Sequence, residues 1–436
     1  MRKHVTNGSL FLMFAALTGS LIAVYIWLFL KVANVGITVI WEWIPKVVTT
    51  RLYTIGMCVV GGVIVGIYRK YCGNYPESMA DAVKHAKNEG TYPYDKIPII
   101  IIGSLLSLFF GGAVGPEAGL VGLLLGFCFW AMDQFGVAIN RMEQMIFQNP
   151  EVHRGEVFRV MAAGLFHNPK KADCQKLHEW KRSEQVSAGV VAGISGLIIF
   201  ELLNAILGRC ITIPQLSGGI VRKIDILILV ALIVGGVAAG YLYLIFKKLA
   251  SIIFGFFSKK GFYILNAVCG GVILGIVGTF LPMTMFSGGN AMQAMQYEYL
   301  KITPVLLIVI GVVKLFLTNV CIESGWRGGH FFPLIFSGLS IGCGLSVLFR
   351  SNQVLCVIVV STAMLGTVLQ QPLGALVLSI IFFPIENIGW MLAAAFIGGC
   401  IPLPKALRLN VDNKGFLYNI THFVYQKKLP MKNNKQ

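Results

Sequence analysis

The chain has 436 residues, 36 of them Lys or Arg and 19 Asp or Glu, for a net charge of +17; 13% are charged and 56% hydrophobic. A soluble globular domain carries about 25% charged residues, so too little polar surface is present to coat a compact body in water, and lipid must be the solvent for most of the chain. The positive charge sits at the edges of apolar runs, which argues for a membrane and against a nucleic-acid partner.

In chain order, a basic head (Arg2, Lys3) leads into an apolar run at 9–30, too long for a signal-peptide core and without a clear small-residue cleavage site, hence a span. A second run, 52–68, ends at Arg69 and Lys70. The polar stretch from Tyr68 to Lys96 reads as a loop through Asn74 to Glu77 and then a short amphipathic helix around Ala80 to Lys84. Apolar runs at 98–110 and 118–132 follow, and then 140–184, which mixes eight Lys or Arg with six Asp or Glu and reads as a cytoplasmic segment with an apolar patch at 157–166 against the membrane. Beyond it come runs at 186–208, 224–246 and 261–284, a glycine-rich break at Ser287 to Asn290, a run at 302–320, a second break at Ser324 to Gly329, and apolar sequence to about Pro402 that includes 353–384. A crossing needs roughly 20 residues. The runs straddle that length, so about ten or more segments are expected, some of them broken or steeply tilted.

These observations predict one multi-pass transmembrane domain over 1–405 in a cell membrane, a short basic tail at 406–436, and no soluble regulatory domain. Basic residues at 69–70, 84, 87, 170–171 and 181–182, together with the 427–435 tail, put both termini in the cytoplasm. The ten cysteines include no C-x-x-C pair, so neither a disulfide framework nor a metal site is indicated. Glycine pairs at 62/66, 236/240 and 271/275 predict close helix packing.

Two segments share the form Gly-x-x-x-Pro: Gly112-Ala113-Val114-Gly115-Pro116 and Gly329-His330-Phe331-Phe332-Pro333. Proline is favoured in the first turn of a helix, and glycines ahead of it let the backbone turn, so Pro116 and Pro333 each read as a helix start. Paired interruptions at corresponding places in two halves mark an inverted-repeat transport fold and point to its binding site. Two such ends meeting at mid-membrane would aim free N–H groups and positive dipole ends at one small cavity. An anion could bind there and still leave, since partial charges hold it less tightly than a fixed Lys or Arg.

The charged residues near these motifs admit more than one role. Glu117 follows Pro116 and either benefits from the dipole of its own helix, acts as a gate beside Val114, or pairs with Arg327. Arg327 either raises the local anion concentration or pairs with Glu323. Lys314, inside an apolar run, must face protein or water, in a pore-related role or on carbonyls or an ion pair. His330 reads as a helix-start residue whose backbone matters, with no clustered partners for a metal. No Ser-His-Asp arrangement, H-E-x-x-H, P-loop or dinucleotide fingerprint is present, so neither an enzyme nor a cofactor is expected.

The blocks Gly111 to Ala118 (GGAVGPEA) and Ser324 to Pro333 (SGWRGGHFFP), the Lys314 helix and the Gln-Gln-Pro segment at 370–372 resemble the CLC chloride channels and chloride/proton antiporters, in order and spacing over roughly 50–405. The resemblance implies an all-α membrane protein, an inverted repeat of tilted and half-spanning helices, working as a homodimer with one pore per subunit. It implies a central monovalent anion bound by the amides around Gly329, His330 and Phe331, and an outer position at Ala113, Val114 and Gly115 with Phe332 opposite. The family's inner serine motif corresponds to Cys72-Gly73-Asn74-Tyr75-Pro76, which makes Gly73 and Asn74 candidate anion ligands and Pro76 a third helix start. This chain departs from the family at its gate: Val114 replaces the gating glutamate and Ala113 the arginine before it. The family's late coordinating tyrosine has no counterpart near 402–405, and Glu201 matches a structural glutamate better than the one serving the proton path. Passive conduction of chloride or a similar anion is therefore expected, with a coupled secondary transporter or a non-conducting relative as the alternatives.

Overall fold

A computed structural model describes residues 2–47, 50, 52–148, 182–208, 219, 225–404 and 407, with backbone alone at 2–11, 135–148 and 182–186. The polar segment expected at 140–184, its apolar patch at 157–166 and the tail at 406–436 lie largely outside these residues. Within them the fold is helical: no strand occurs, and the one extended pairing is an isolated antiparallel bridge between Gly115 and Gly329.

The helices are α1 (Arg2–Thr38), α2 (Tyr53–Cys72), α3 (Met79–Glu89), α4 (Ile97–Phe109), α5 (Glu117–Gln148), α6 (Arg182–Leu207), α7 (Ile226–Lys259), α8 (Tyr263–Phe280), α9 (Gly289–Glu298), α10 (Pro304–Ser324), α11 (Phe331–Leu348), α12 (Gln353–Leu369), α13 (Pro372–Phe382) and α14 (Ile388–Cys400). Seven of the described helical stretches are long and apolar enough to cross a membrane, and three further apolar helices are shorter. Thirteen residues of α4 or α14 reach only about 20 Å at 1.5 Å per residue, short of a hydrocarbon core of about 30 Å. These are the partial spans expected from the uneven apolar runs. The run at 353–384 is two helices: Gln370 takes a left-handed conformation at φ 52° and Pro372 opens α13.

The chain divides into two compact units. The first gathers Met1–Gly36, Pro76–Ile102 and Ala118–Ile211. In it Trp27 Nε1 donates to Asn204 Oδ1 at 3.1 Å, and Gly19 lies so close to Ala192 that a Cβ there would come 2.0 Å from its carbonyl oxygen. The polar helix α3 begins at Met79 with Ser78 as its cap, the Ser78 hydroxyl accepting from Asp81 N–H.

The second unit gathers Ile37–Tyr75, Gly103–Glu117 and Thr212–Gln436. Lipid gives no hydrophobic drive for helices to associate, so they hold by close packing. Accordingly α2 and α8 meet through the expected glycines: a Cβ on Gly271 would sit 2.3 Å from Cys58 O, and one on Gly62 2.7 Å from Ala267 O. Helix α7 meets α12 in the same way, Gly236 lying against Val360. Around these contacts Trp326, Leu334, Ile335, Phe336 and the run Val357 to Val360 are fully buried, and Trp326 Nε1 donates to Ala267 O at 3.0 Å.

Candidate functional site

Both Gly-x-x-x-Pro segments are built the same way. After α4 comes Gly111 (φ 81°) and after α10 Gly325 (φ 111°), left-handed turns that suit glycine. A short extended stretch follows each, and then a new helix, α5 at Glu117 or α11 at Phe331. The two stretches lie antiparallel: Gly115 N–H donates to Gly329 O at 2.8 Å, and Gly329 N–H to Gly115 O at 2.7 Å. Two helix ends distant in sequence are thereby locked together inside one unit. Pro116 stands one residue before α5, and Pro333 is the third residue of α11.

The pairing changes which amides are available. Gly115 and Gly329, both expected among the anion ligands, spend their N–H groups on each other. Ala113 and Val114 are fully buried, and the Val114 side chain packs where a Cβ on Gly328 would lie, 2.4 Å from Val114 Cγ2. What remains partly open is the tip of α11: His330, Phe331 and Phe332, with Glu117, are half-buried amid fully buried neighbours.

Glu117 occupies that tip. Its Oε1 accepts the Phe332 N–H at 2.6 Å, with the Phe331 amide and its own amide alongside, while Oε2 is buried without a hydrogen-bond partner. A carboxylate therefore stands at the N-terminus of α11, where the unsatisfied amides and the positive end of the dipole favour negative charge. The first-turn position explains the reach: Glu117 starts one helix and, because Gly115 holds Gly329, its side chain falls on the first turn of the other. Gly115 and Gly329 leave room for it, since a Cβ on either would lie 2.0 Å and 1.8 Å from Glu117 Oε2. In the gate register expected from the sequence, the Val114 side chain faces packed protein and the Glu117 side chain meets the amides.

The third motif does not behave as expected. Pro76 starts no helix, because α3 begins three residues later at Met79; the polar run between them favours a loop capped by Ser78. Gly73 (φ 78°) is the C-terminal cap of α2, its N–H given to Arg69 O, so it presents no helix N-terminus to an anion. Asn74 turns its oxygen to two guanidinium groups, accepting from Arg327 Nη2 at 2.8 Å and from Arg69 Nε at 3.4 Å. Arg327 thus bonds Asn74, and Glu323 lies in the field of Lys247, Arg327 and Arg69.

Lys314 serves the frame around the site. It is fully buried, and its Nζ donates to the carbonyls of Thr284 (2.8 Å), Met285 (3.0 Å) and Phe286 (2.5 Å) above the Phe336 ring. That grip fixes Phe286 in an unusual φ of 57° for a non-glycine residue. Phe286 N–H in turn donates to Gly111 O at 3.1 Å, beside Trp41, whose Nε1 donates to Phe109 O at 2.8 Å. The lysine so pins the turn from which the first motif departs. Its partners are carbonyls, one of the roles its place in an apolar run allowed.

His330 caps α11 without a side-chain bond and stacks its ring on Tyr243 of α7, with centroids 6.0 Å apart. Tyr243 is not among the candidates the sequence offers, because a lone tyrosine in an apolar helix carries no signal. Among the described residues no group of three or more His, Cys, Asp or Glu could hold a metal ion.

Comparison with known proteins agrees with this architecture. A family model described as voltage gated chloride channel matches residues 176–401. YfeO of Escherichia coli O127:H6 (strain E2348/69 / EPEC), a protein to which ion transport is ascribed, is 26% identical over 365 residues, 81% of this chain and 82% of its own. The crystal structure of a slow cyanobacterial Cl-/H+ antiporter superposes with a TM-score of 0.64 at 16% identity, covering 96% of this chain and 98% of that one. A CLC-type fluoride/proton antiporter superposes with a TM-score of 0.62 at 16% identity, covering 90% and 95%. At these identities the likeness is one of fold.

Proposed function

This chain belongs to the voltage-gated chloride channel family, and from that premise we propose that it carries a monovalent anion such as chloride across the membrane at the tip of α11. The anion takes the amides of Phe331 and Phe332, and Glu117 is the gate. The observation that carries the reading is the Glu117 carboxylate on the Phe332 N–H: a fixed negative group held on backbone amides marks a place that suits a small anion. For an ion to enter, Glu117 must withdraw or become neutral, and no covalent chemistry is needed. His330 contributes its place at the helix start, and Ala113 and Val114 form the packed wall behind the site. A homodimer with one pore per subunit and cytoplasmic termini are part of the same proposal, and the resemblance carries them.

The flux we propose is passive. One observation favours coupled proton exchange as a second reading: the group in the anion's place is a carboxylate, which can carry a proton as well as block. Purified protein in chloride-loaded liposomes, with potassium clamped by valinomycin and external pH recorded, separates the two. Chloride release without proton movement supports passive conduction, and chloride release that drives protons uphill supports exchange. No release at all, with Glu117 intact or replaced, would refute transport at this site.

A further inference from the structure

Of the buried polar groups in the second unit that lack a hydrogen-bond partner, one stands beside the tip of α11. The Tyr243 hydroxyl is fully buried, yet it has no hydrogen-bond partner. An orphaned donor in a dry interior is costly and usually means that a water or ligand completes it. The ring is held by stacking on His330, whose own ring packs on Phe331 at 4.5 Å. Tyr243 is thus fixed against His330, the residue that caps the helix end presenting the amides. A second orphan belongs to the same place, the buried Glu117 Oε2. Glu117 is also among the charges felt at the Tyr243 phenol.

We infer that Tyr243 is a side-chain ligand of the transported anion, its O–H adding a third donor to the Phe331 and Phe332 amides when Glu117 leaves. The inference rests on the proposed function and deepens it by naming a residue that sets anion affinity and selectivity. With Glu117 on the amides, one donor and one acceptor stay unsatisfied. With a halide in its place, the hydroxyl gains an acceptor and the released carboxylate can reach water. A phenol O–H discriminates by hydrogen-bond strength, so the effect should be greatest for fluoride, intermediate for chloride and least for nitrate.

The test is Tyr243→Phe, which keeps the ring and its stacking and removes only the hydroxyl. Binding of potassium chloride, fluoride and nitrate to the detergent-solubilised full chain is measured by calorimetry, and thermal unfolding is followed in gluconate without halide. A hydrogen bond to an ion accounts for about ten- to hundredfold in affinity. Chloride should therefore bind Tyr243→Phe at least about tenfold more weakly, fluoride more weakly still and nitrate nearly unchanged, with the gluconate melting temperature no lower than wild type. Chloride affinity within about twofold of wild type would overturn the inference and leave transport standing. A lower melting temperature in gluconate would also overturn it, by revealing a partner for the hydroxyl inside the protein. Failure of both wild type and Glu117→Ala to bind or conduct chloride would remove the proposed function and this ligand together.

Discussion

Glu117→Ala vacates the tip of α11, and the size of the effect follows from what the carboxylate holds. The substitution removes a charge-assisted hydrogen bond to Phe332 N–H at 2.6 Å, and such bonds contribute about 1.5–3 kcal/mol. In the wild type an anion must displace that bond; in the variant it meets free amides. At about 1.4 kcal/mol per tenfold, chloride should bind Glu117→Ala roughly ten- to hundredfold more tightly. The pH dependence carries a sign as well. Lowering the pH neutralises the wild-type carboxylate and weakens its hold, so wild-type affinity should rise as pH falls, whereas the variant should give one affinity throughout. Calorimetric chloride titration of both proteins in detergent, at several pH values, checks both statements. Equal affinities, or a variant that keeps the wild-type pH profile, would refute the assignment of Glu117 as the competitor.

Gly329→Ala places a methyl 1.8 Å from Glu117 Oε2 and 2.8 Å from its Cβ, so the carboxylate should be expelled; chloride titration should then show the flat pH profile of Glu117→Ala. Lys314→Met leaves the carbonyls of Thr284, Met285 and Phe286 without this shared donor and should destabilise the protein by about 3 kcal/mol or more, with the loss of hydrogen-exchange protection concentrated at 281–288; protection equal to wild type there would contradict the pinning role. On the polar helix α3, burial pulls the His85 imidazole down but Glu77 at 3.3 Å and Glu89 at 3.1 Å outweigh it, so its pKa is raised above the ordinary 6.5. The folded form prefers the protonated ring, and its contribution is present below pH 6.5 and lost as pH rises through the elevated value. Exchange protection of 79–89, corrected for intrinsic rates, should be greater at acid than at alkaline pH in wild type and independent of pH in His85→Gln.

The meeting of the two helix ends is readable in the sequence because Gly-x-x-x-Pro specifies local geometry: a turn that suits glycine, then a first helical turn that tolerates proline. Which N–H groups stay free is not, since the Gly115–Gly329 pairing joins segments more than two hundred residues apart and depends on how the ends cross. The gate shows the same limit. Matching motif to motif puts the functional position at Val114, whereas side-chain direction decides the matter: a residue in the extended stretch points into Gly328, and the first-turn residue three places later reaches the neighbouring amides. Pro76 misleads because proline marks loops as well as helix starts, and the Ser78 cap is the better signal. Lys314 announces its need for a partner by sitting in an apolar run, but only packing supplies the three carbonyls of the distant turn. Tyr243 is invisible in the sequence because a missing hydrogen-bond partner is a property of three-dimensional surroundings alone.

Whether the paired helix ends offer the Phe331 and Phe332 amides to an anion can be seen in a crystal structure of Glu117→Ala grown in sodium bromide, with data collected at the bromine absorption edge. An anomalous peak should lie within hydrogen-bonding distance of both amides. Bromide found only elsewhere in the protein, with the α11 tip empty, would contradict an anion site at these helix ends.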